Sequence, residues 1–290
     1  MEQCGGQAGR GRLKVLAAAL MFSISGVCVK LIPWSPLAIN GARGAVGALV
    51  MGLWFVGAKH RFRLNGAVLT GALALCLTNI LYVFSTKLTT AANAILLQYT
   101  SPIFVVLLLW LGFGKRPRKL DLVTCFFVFC GILFFFFDSL TADSLLGNFL
   151  GLASGLTYAG VFLVNLMPGA DSMSSFLLAQ LVGAALGAPF LLREHSFPPA
   201  ALAAVALMGV FQIGLGFLLL SQGLVHTPAV TANLICAVEP ILNPTLVALL
   251  YGERPGRFAL VGAVIVLAGV IGYNVMNGRQ SGRAARREMK

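Results

Sequence analysis

The chain has 290 residues and a formal net charge of +12; 58% of its residues are hydrophobic and only 10% are charged. Charged residues make up about a quarter of an ordinary soluble domain, so this composition excludes that class and indicates an integral membrane protein. The positive charge would suggest nucleic acid in a soluble chain, but here the basic residues cluster between apolar segments, where they set membrane orientation. We therefore expect no nucleic-acid partner.

Ten apolar segments are each close to the roughly 20 residues that a membrane-spanning helix needs. They cover residues 13–32, 36–58, 65–86, 90–112, 121–138, 145–166, 173–192, 200–223, 228–251 and 256–276. The sequence therefore predicts an all-α polytopic membrane protein with ten transmembrane helices. We interpret residues 1–12 as a cytoplasmic tail before a retained first helix, and residues 277–290 as a basic cytoplasmic tail.

The segment 91–117 returns near the other end of the chain as 229–255, at a constant offset of 138 positions. Leucine matches carry little weight in so apolar a chain, but prolines and glycines also match: Pro102 with Pro240, Gly114 with Gly252, Pro117 with Pro255, and Gly131 with Gly269. This register indicates a duplicated unit. We predict two five-helix repeats, over residues 13–138 and 145–276.

The positions of Lys and Arg predict the orientation of the helices. With the N-terminus inside, the cytoplasmic side receives Arg10, Arg12, Lys14, Lys59, Arg61, Arg63, Lys115, Arg116, Arg118, Lys119, Arg279, Arg283, Arg286, Arg287 and Lys290, and the other side receives only Lys87, Arg193, Arg254 and Arg257. Both termini are therefore predicted to be cytoplasmic, in a plasma or inner membrane. Because each repeat has an odd number of helices, the repeats are inverted, which is a common plan of secondary transporters.

Small residues four positions apart recur on three spans, where they let helix backbones approach each other. They are Gly44, Ala48 and Gly52 on the second span, Gly147, Gly151, Gly155 and Ala159 on the sixth, and Gly183 and Gly187 on the seventh. We expect these three stripes to lie at helix contacts.

Glu239 alone among the nine acidic residues lies in the middle of a predicted span. It is about 16 Å deep at the helical rise of 1.5 Å per residue, where a charge costs roughly 2.5–3.5 kcal/mol and marks a functional site by default. Pro240 follows it directly and Pro244 lies four residues further on, so we predict a kinked helix with free backbone carbonyls beside the carboxyl. Three roles remain open: a proton carrier, an anion that pairs with a substrate amine or an internal cation, and a structural hydrogen bond.

Arg43 is the other buried ion, about 10 Å below the outer surface at helical rise. It can snorkel outward, bind a substrate carboxylate, or neutralise helix C-termini. Uncharged polar residues provide a candidate cavity lining, although each can instead form an interhelical hydrogen bond: Asn79, Tyr82, Gln98, Tyr99, Tyr158, Gln212, Asn233 and Asn243. Asn79 and Tyr82 are three apart and so share a helix face. Gln98 lies four residues before Pro102, where a kink would expose its carbonyl.

The sequence contains little that would indicate an enzyme. The three histidines, His60, His195 and His226, all fall in predicted loops. No HExxH, Walker or GxSxG motif occurs, and the absence of a nucleotide-binding domain argues against primary active transport. We therefore predict a non-enzyme without catalytic residues, metal or cofactor.

The paired segments TSPIF…GKRP and VEPILNP…GERP, together with Arg43 after a short polar entry into the second helix and the ten-span duplicated layout, resemble the EamA family of the drug/metabolite transporter superfamily. The resemblance covers nearly the whole chain and implies inverted five-helix repeats, cytoplasmic termini and alternating access. It also implies a central cavity lined chiefly by the first, third and fourth helices and their repeat mates. The residues that fit the family pattern are Arg43, Pro102, Glu239, Pro240, Gly252 and Glu253, whereas Lys115 departs from it.

We accordingly expect a secondary transporter that exports small metabolites such as amino acids, with Glu239 linked to substrate or to coupled protons. Pro102, Pro240 and Pro244 would shape the gates. The alternatives are a metabolite importer or nucleotide-sugar carrier of the same fold, and a non-transporting membrane module. The expected partners are a small-molecule substrate, coupled protons and the lipid bilayer, and we expect a monomer or a homodimer.

Overall fold

The structure, a computed structural model, describes residues 2–139, 145–252, 256–258, 260–262, 264–266, 268–269, 271–273 and 275–276. Residues 253–255 of the second repeated loop and the predicted C-terminal tail 277–290 lie outside the described residues. The part of the chain that is described consists of helices and short connections, without a strand.

The helices in chain order are α1 (Glu2–Phe22), α2 (Ser25–Leu31), α3 (Pro36–Gly57), α4 (Gly66–Leu88), α5 (Ala91–Gln98), α6 (Ser101–Phe113), α7 (Lys119–Ser139), α8 (Leu145–Leu163), α9 (Ser172–Leu191), α10 (Pro199–Leu207), α11 (Phe217–Leu224), α12 (Ala229–Ile235) and α13 (Glu239–Tyr251). A π-helical segment, Met208–Gly216, joins α10 to α11, and a 3-10 turn, Cys236–Val238, joins α12 to α13. A further 3-10 turn, Val164–Leu166, follows α8. The last helix, α14 (Leu260–Tyr273), is described in part.

Eight segments of the described chain are long and apolar enough to cross a membrane. They are Gln7–Leu31, Pro36–Gly57, Gly66–Leu88, Ala91–Phe113, Leu145–Leu166, Ser172–Leu191, Pro199–Leu224 and Ala229–Leu250. These coincide with eight of the ten predicted spans, and α7 and α14 occupy the places of the fifth and tenth. The predicted all-α membrane fold is confirmed. The first helix begins at Glu2, so it includes most of the segment that we predicted as a polar tail.

Four of the eight spans are interrupted in the middle, one of them by the π-helical segment between α10 and α11. α1 and α2 are separated at residues 23–24, α5 and α6 at residues 99–100, and α12 and α13 by the 3-10 turn. Pro102 and Pro240 are the second residues of α6 and α13. The N–H groups in the first turn of a helix have no partner within it, so a proline there costs no helical hydrogen bond. The interruptions therefore come directly before these prolines, as predicted. Pro244 differs, because α13 continues through it.

The two halves share the local structure that their common register predicts. α5 and α6 correspond to α12 and α13, with the interruption at the same place. Each second helix ends at a glycine in the left-handed region, Gly114 at φ 64° and Gly252 at φ 68°. Only glycine adopts this conformation without steric cost, which explains why both glycines recur in the sequence.

Contacts between loops define two ends of the bundle. At the end where α1 begins, called the N-terminal end, His60 Nε2 lies 2.8 Å from Asp171 Oδ2, and Asn65 donates to the carbonyl of Gly169 at 2.8 Å. At the opposite end the Trp34 indole donates to the carbonyl of Ser196 at 2.7 Å. The N-terminal end carries Arg10, Arg12, Lys14, Lys59, Arg61, Arg63, Lys115, Arg116, Arg118 and Lys119. Most of the basic residues in the described part of the chain thus belong to one end.

Small residues allow the closest helix contacts. A Cβ placed on Gly41 of α3 would lie 2.7 Å from Gly187 Cα of α9, so these backbones touch. Gly155 of α8 faces the hydroxyl of Thr100 and the carbonyl of Gln98 at the interruption after α5. The predicted stripes on the sixth and seventh spans therefore do lie at helix contacts. The prediction was wrong for Gly52, which has no atom within 4 Å of its Cβ position because it faces open space.

Candidate functional site

A small polar cavity lies between the two halves of the protein. Its volume is about 30 Å³, close to the space that one water molecule occupies in the liquid. The lining residues are Phe22, Thr78, Asn79, Tyr82, Gln98, Tyr158, Gln212, Phe217 and Glu239. Six of them, Asn79, Tyr82, Gln98, Tyr158, Gln212 and Glu239, are among the side chains that we singled out in the sequence. The folded chain thus gathers a large part of the candidate set around one space.

Glu239 lines the cavity from the start of α13, directly after the 3-10 turn. Only 5% of its surface is exposed. In the described chain no basic side chain forms an ion pair with this carboxyl, since the ion pairs there join His60 to Asp171 and Arg118 to Asp121. Glu239 is thus a buried carboxyl at the cavity, without a basic partner among the described residues.

Tyr99 connects the two interrupted spans. It ends α5, and its hydroxyl donates a hydrogen bond to the carbonyl of Cys236, the residue that begins the 3-10 turn before Glu239. The same carbonyl also accepts from the backbone N–H of Glu239, which closes the 3-10 turn. Tyr158 of α8 packs edge-on against Tyr99, with ring centroids 6.5 Å apart. One aromatic pair therefore holds both interruptions at the same depth of the bundle.

Arg43 lies one layer behind the cavity wall and is only 1% exposed. Its guanidinium donates to the side-chain oxygen of Gln212 at 3.4 Å, to the side-chain oxygen of Asn40 at 3.3 Å and to the backbone carbonyl of Asn79 at 3.2 Å. All three acceptors are neutral, and the Nε atom has no hydrogen-bond partner among the described residues. Arg43 does not snorkel to the surface, as one of our interpretations had it. Its guanidinium is buried and is connected to the cavity by its hydrogen bonds to two lining residues, Gln212 and Asn79.

The π-helical segment positions Gln212. Its residues Met208 to Gly216 are wound more loosely than an α-helix, and Gln212 lies at its middle with its side chain on both Arg43 and the cavity. Such segments are rare and often occur at functional sites. Gly209 and Gly214 make room for Val46 and Val50 of α3, since a Cβ on either glycine would collide with these side chains. No sequence pattern indicated this distortion.

A second polar cluster joins three helices beside the cavity. Asn243 of α13 donates to Ser25 Oγ at 2.9 Å and to Tyr82 Oη at 3.1 Å, and Ser25 and Tyr82 are themselves 3.0 Å apart. Gly26 lies against Asn243, because a Cβ there would collide with the amide. Asn243 is thus a neighbour of a cavity residue rather than part of the lining.

Asn233 lies elsewhere. Its amide donates to Ser101 Oγ at 2.9 Å, which ties α12 to the start of α6. Ser101 is the residue that the repeat register matches with Glu239, so the polar group of the first half is used for packing. Pro244 is not among the lining residues.

Three lining residues were absent from the sequence-based set. Thr78 donates to the Thr157 hydroxyl at 2.9 Å, so it also joins α4 to α8. Phe22 and Phe217 pack with ring centroids 4.9 Å apart, at the end of α1 and the start of α11. In a chain this rich in apolar residues, a phenylalanine does not stand out as a candidate site residue. Phe22 and Phe217 nevertheless both flank helix interruptions.

A charged contact outside the membrane spans lies at the N-terminal end of the bundle. Asp171 begins α9, where its carboxyl accepts from the Ser174 hydroxyl at 2.6 Å and from the Met173 amide at 3.2 Å. Partial burial alone would raise the pKa of Asp171, but the hydrogen bonds from Ser174 and His60 outweigh it and hold that pKa below its ordinary value. The loop after α3 and the start of α9 are therefore joined by a carboxylate.

Comparison with known proteins agrees with this architecture. The EamA-like transporter family model matches residues 9–137 and 145–275. The chain belongs to this family. An uncharacterized transporter of Archaeoglobus fulgidus is 29% identical over 265 residues, which are 89% of this chain and 93% of that protein. An EamA protein is a membrane transporter and not an enzyme, as we predicted.

Two further similarities are more limited. A probable terminal-alkyne amino-acid exporter of Streptantibioticus cattleyicolor is 31% identical over 86 residues, which are 30% of this chain and 27% of that protein. A solved crystal structure has the same fold, with a TM-score of 0.72 at 17% identity, and the match covers 92% of this chain and 97% of that chain. At this level of identity the structural match shows a shared fold and nothing more.

Proposed function

We propose that this EamA protein is a secondary transporter that exports small zwitterionic metabolites, with amino acids as the substrate class. The observation that carries the proposal is the pair of buried ionisable side chains, Glu239 and Arg43, at one cavity. Glu239 lines the cavity directly, and Arg43 is one hydrogen bond away through Gln212. Neither has an ion partner among the described residues. Leaving such charges uncompensated is costly, and an amino acid brings the ammonium and the carboxylate that would compensate both.

The roles of the two charges follow from this pairing. The carboxyl of Glu239 would accept the substrate ammonium, or a proton when no substrate is bound, and this exchange would couple transport to protons. Arg43, with Gln212 and Asn79, would attract the substrate carboxylate. The donor–acceptor distances of 3.2–3.4 Å around the guanidinium are long for charge-assisted hydrogen bonds, so a carboxylate would compete well for it.

Alternating access requires this cavity to change size. A volume of about 30 Å³ is far too small for an amino acid, so transport would require the cavity to expand. Opening would occur at the interruptions before Pro102 and Pro240, which Tyr99 holds together. We propose two inverted repeats over residues 13–138 and 145–276 that rock against each other around the cavity.

The orientation that we propose places both termini in the cytoplasm of a cell with a plasma or inner membrane. It is supported by the concentration of basic residues at the N-terminal end of the bundle, since Lys and Arg are enriched on the cytoplasmic side. The partly similar amino-acid exporter supports export as the direction.

The test is an untargeted comparison of metabolites inside cells and in their medium. One bacterial host expresses wild type, Glu239→Gln or Glu194→Gln at equal levels. Glu194 is a matched control because it accepts from the Ser35 amide at the opposite end, and glutamine keeps this acceptor. Amino acids should accumulate in the medium with wild type and with Glu194→Gln only.

The other outcomes decide between the alternatives. Depletion of solutes from the medium would identify an importer, and a change confined to nucleotide sugars would identify a carrier of that class. No change in any pool would contradict transport and favour a non-transporting membrane module.

A further inference from the structure

A basic pocket opens at the N-terminal end of the bundle. It has a volume of about 410 Å³ and lies between the start of α1, the loop after α6, the start of α12 and the end of α14. Its charged lining residues are Arg12, Lys115, Arg116, Arg118 and Asp121. Neither Glu239 nor any other residue of the central cavity belongs to it. The pocket is therefore a separate site.

Only some of the charged side chains of this pocket have a partner of opposite charge in the described part of the chain. Asp121 is engaged by Arg118, whose Nη2 lies 3.1 Å from its Oδ1, and by the Tyr273 hydroxyl, which donates to Oδ1 at 2.9 Å. Arg12, Lys115 and Arg116 are exposed, and in the described part of the chain no carboxylate pairs with them. The pocket thus offers three cations to an external anion.

An apolar groove leads from this pocket toward the middle of the membrane. It has a volume of about 480 Å³ and lies between α1 and the span formed by α12 and α13. On α1 its lining residues are Gly9, Arg12, Leu13 and Leu16, whose spacing places them on one helix face. The opposite wall consists of Leu234, Ile235, Ala237, Val238 and Ile241, with Ile271 of α14. Leu13 is 65% exposed, so the groove is open to its surroundings.

Arg12 belongs to both spaces. The basic pocket contains the first residues of α12, and the apolar groove contains the residues that follow them toward the middle of that span. From Leu234 to Ile241 the helical rise amounts to about 10 Å. The two spaces therefore form one amphipathic site, with its charged part at the membrane surface and its apolar part inside the bilayer.

We propose that this site binds one anionic phospholipid from the leaflet at the N-terminal end. The headgroup phosphate lies on Arg12, Lys115 and Arg116, and an acyl chain occupies the groove between α1 and α12–α13. A free phosphate would use the cations but not the groove, whereas an uncharged lipid would use the groove but not the cations. An anionic phospholipid matches both parts, and basic pockets between membrane helices are known to hold such headgroups.

The test measures lipid binding to the purified full chain by native mass spectrometry. The probes are dioleoyl phosphatidylglycerol, dioleoyl phosphatidylcholine, and inorganic phosphate as a competitor. A double variant, R12Q/R116Q, removes two cations of the site. R61Q/R63Q is the matched control, because both residues are exposed at the same end but line neither space. Leu13→Trp fills the groove without changing the charge.

We expect phosphatidylglycerol to bind more tightly than phosphatidylcholine. R12Q/R116Q should weaken its binding about twenty-five-fold, since each basic residue near the surface contributes about fivefold. R61Q/R63Q should stay close to wild type, and Leu13→Trp should weaken binding without affecting the preference for an anionic headgroup.

Three results would overturn the proposal. Equal losses in R12Q/R116Q and R61Q/R63Q would mean that general surface charge attracts the lipid. Full competition by inorganic phosphate, with no effect of Leu13→Trp, would indicate a free-anion site. Equal binding of both lipids to wild type, which requires no variant to fold, would remove the role of the cations.

Discussion

Replacing Gly187 by alanine should destabilise the protein through one methyl group. The residue lies where α9 crosses α3, and a Cβ on it would collide with backbone atoms of Leu37 and Gly41. The nitrogen of Gly41 would be 2.6 Å from that Cβ. The obstacle is main chain on a packed helix, so it cannot rotate away as a side chain would.

The magnitude follows from the contact distance. Carbon atoms pack best about 3.5–4.0 Å apart, so the two helices must separate by about 1 Å, and a gap of this size forfeits a quarter to a half of each dispersion contact along the crossing. Overpacking of this kind costs about 1–3 kcal/mol, and alanine returns about 0.5–1 kcal/mol through its better helix propensity. We expect Gly187→Ala to lose about 1–2 kcal/mol of unfolding free energy.

Gly52→Ala is the matched control, because Gly52 is also a membrane-helix glycine but has no atom within 4 Å of its Cβ position. It should gain about 0.5–1 kcal/mol from helix propensity alone. Unfolding of both variants in detergent, followed by circular dichroism against denaturant, measures the difference. Equal stabilities for Gly187→Ala and Gly52→Ala would refute the close backbone contact between α3 and α9.

Three further predictions concern polar groups. Arg43→Gln should lower amino-acid efflux about tenfold or more, and Arg43→Lys should not restore it, because a lysine ammonium lacks the planar fork that reaches several acceptors; wild-type efflux in Arg43→Gln vesicles would contradict this. Asp171→Ala should cost about 1 kcal/mol of stability at neutral pH through the lost N-cap. Because the folded-state pKa of Asp171 is lowered, its charge stabilises the fold above its ordinary pKa, and this part is lost as the pH falls through the folded value. Denaturation of wild type and Asp171→Asn should therefore converge in acid, and a constant difference would contradict the pairing with His60. Tyr82→Phe should cost about 1 kcal/mol in the same assay by removing one of the two acceptors of Asn243, and an unchanged midpoint would argue against this bond.

Local signals in the sequence accounted for the spans and for the centre of the site. Hydropathy is a property of each segment, so the spans could be located without knowing their neighbours. Glu239 was recognisable because a charge at mid-membrane is costly wherever it lies. The interruptions before Pro102 and Pro240 were predictable because the missing N–H of proline acts within one helical turn.

Other parts of the site depend on packing and have no local signal. The π-helical segment around Gln212 contains no proline and follows from contacts of Gly209 and Gly214 with α3. The interaction of Asn243 with Tyr82 joins residues that are far apart in the chain, so the polar residues could be listed but not paired. Gly52 illustrates the opposite kind of error, in which a local pattern predicted a contact that does not exist. A small residue at the right spacing lies at a helix contact only if another helix packs on that face.

The measurement that tests the central claim most directly is efflux from proteoliposomes loaded with a mixture of the standard amino acids. Wild type, Glu239→Gln and Glu194→Gln are compared at acidic and at alkaline external pH, and the released amino acids are quantified by mass spectrometry. The account predicts efflux of particular amino acids that depends on pH in wild type and in Glu194→Gln. In Glu239→Gln it predicts efflux at least about tenfold slower, or efflux without pH dependence, because the buried carboxyl that exchanges substrate and proton is gone. Unchanged efflux with unchanged pH dependence in Glu239→Gln would contradict the account.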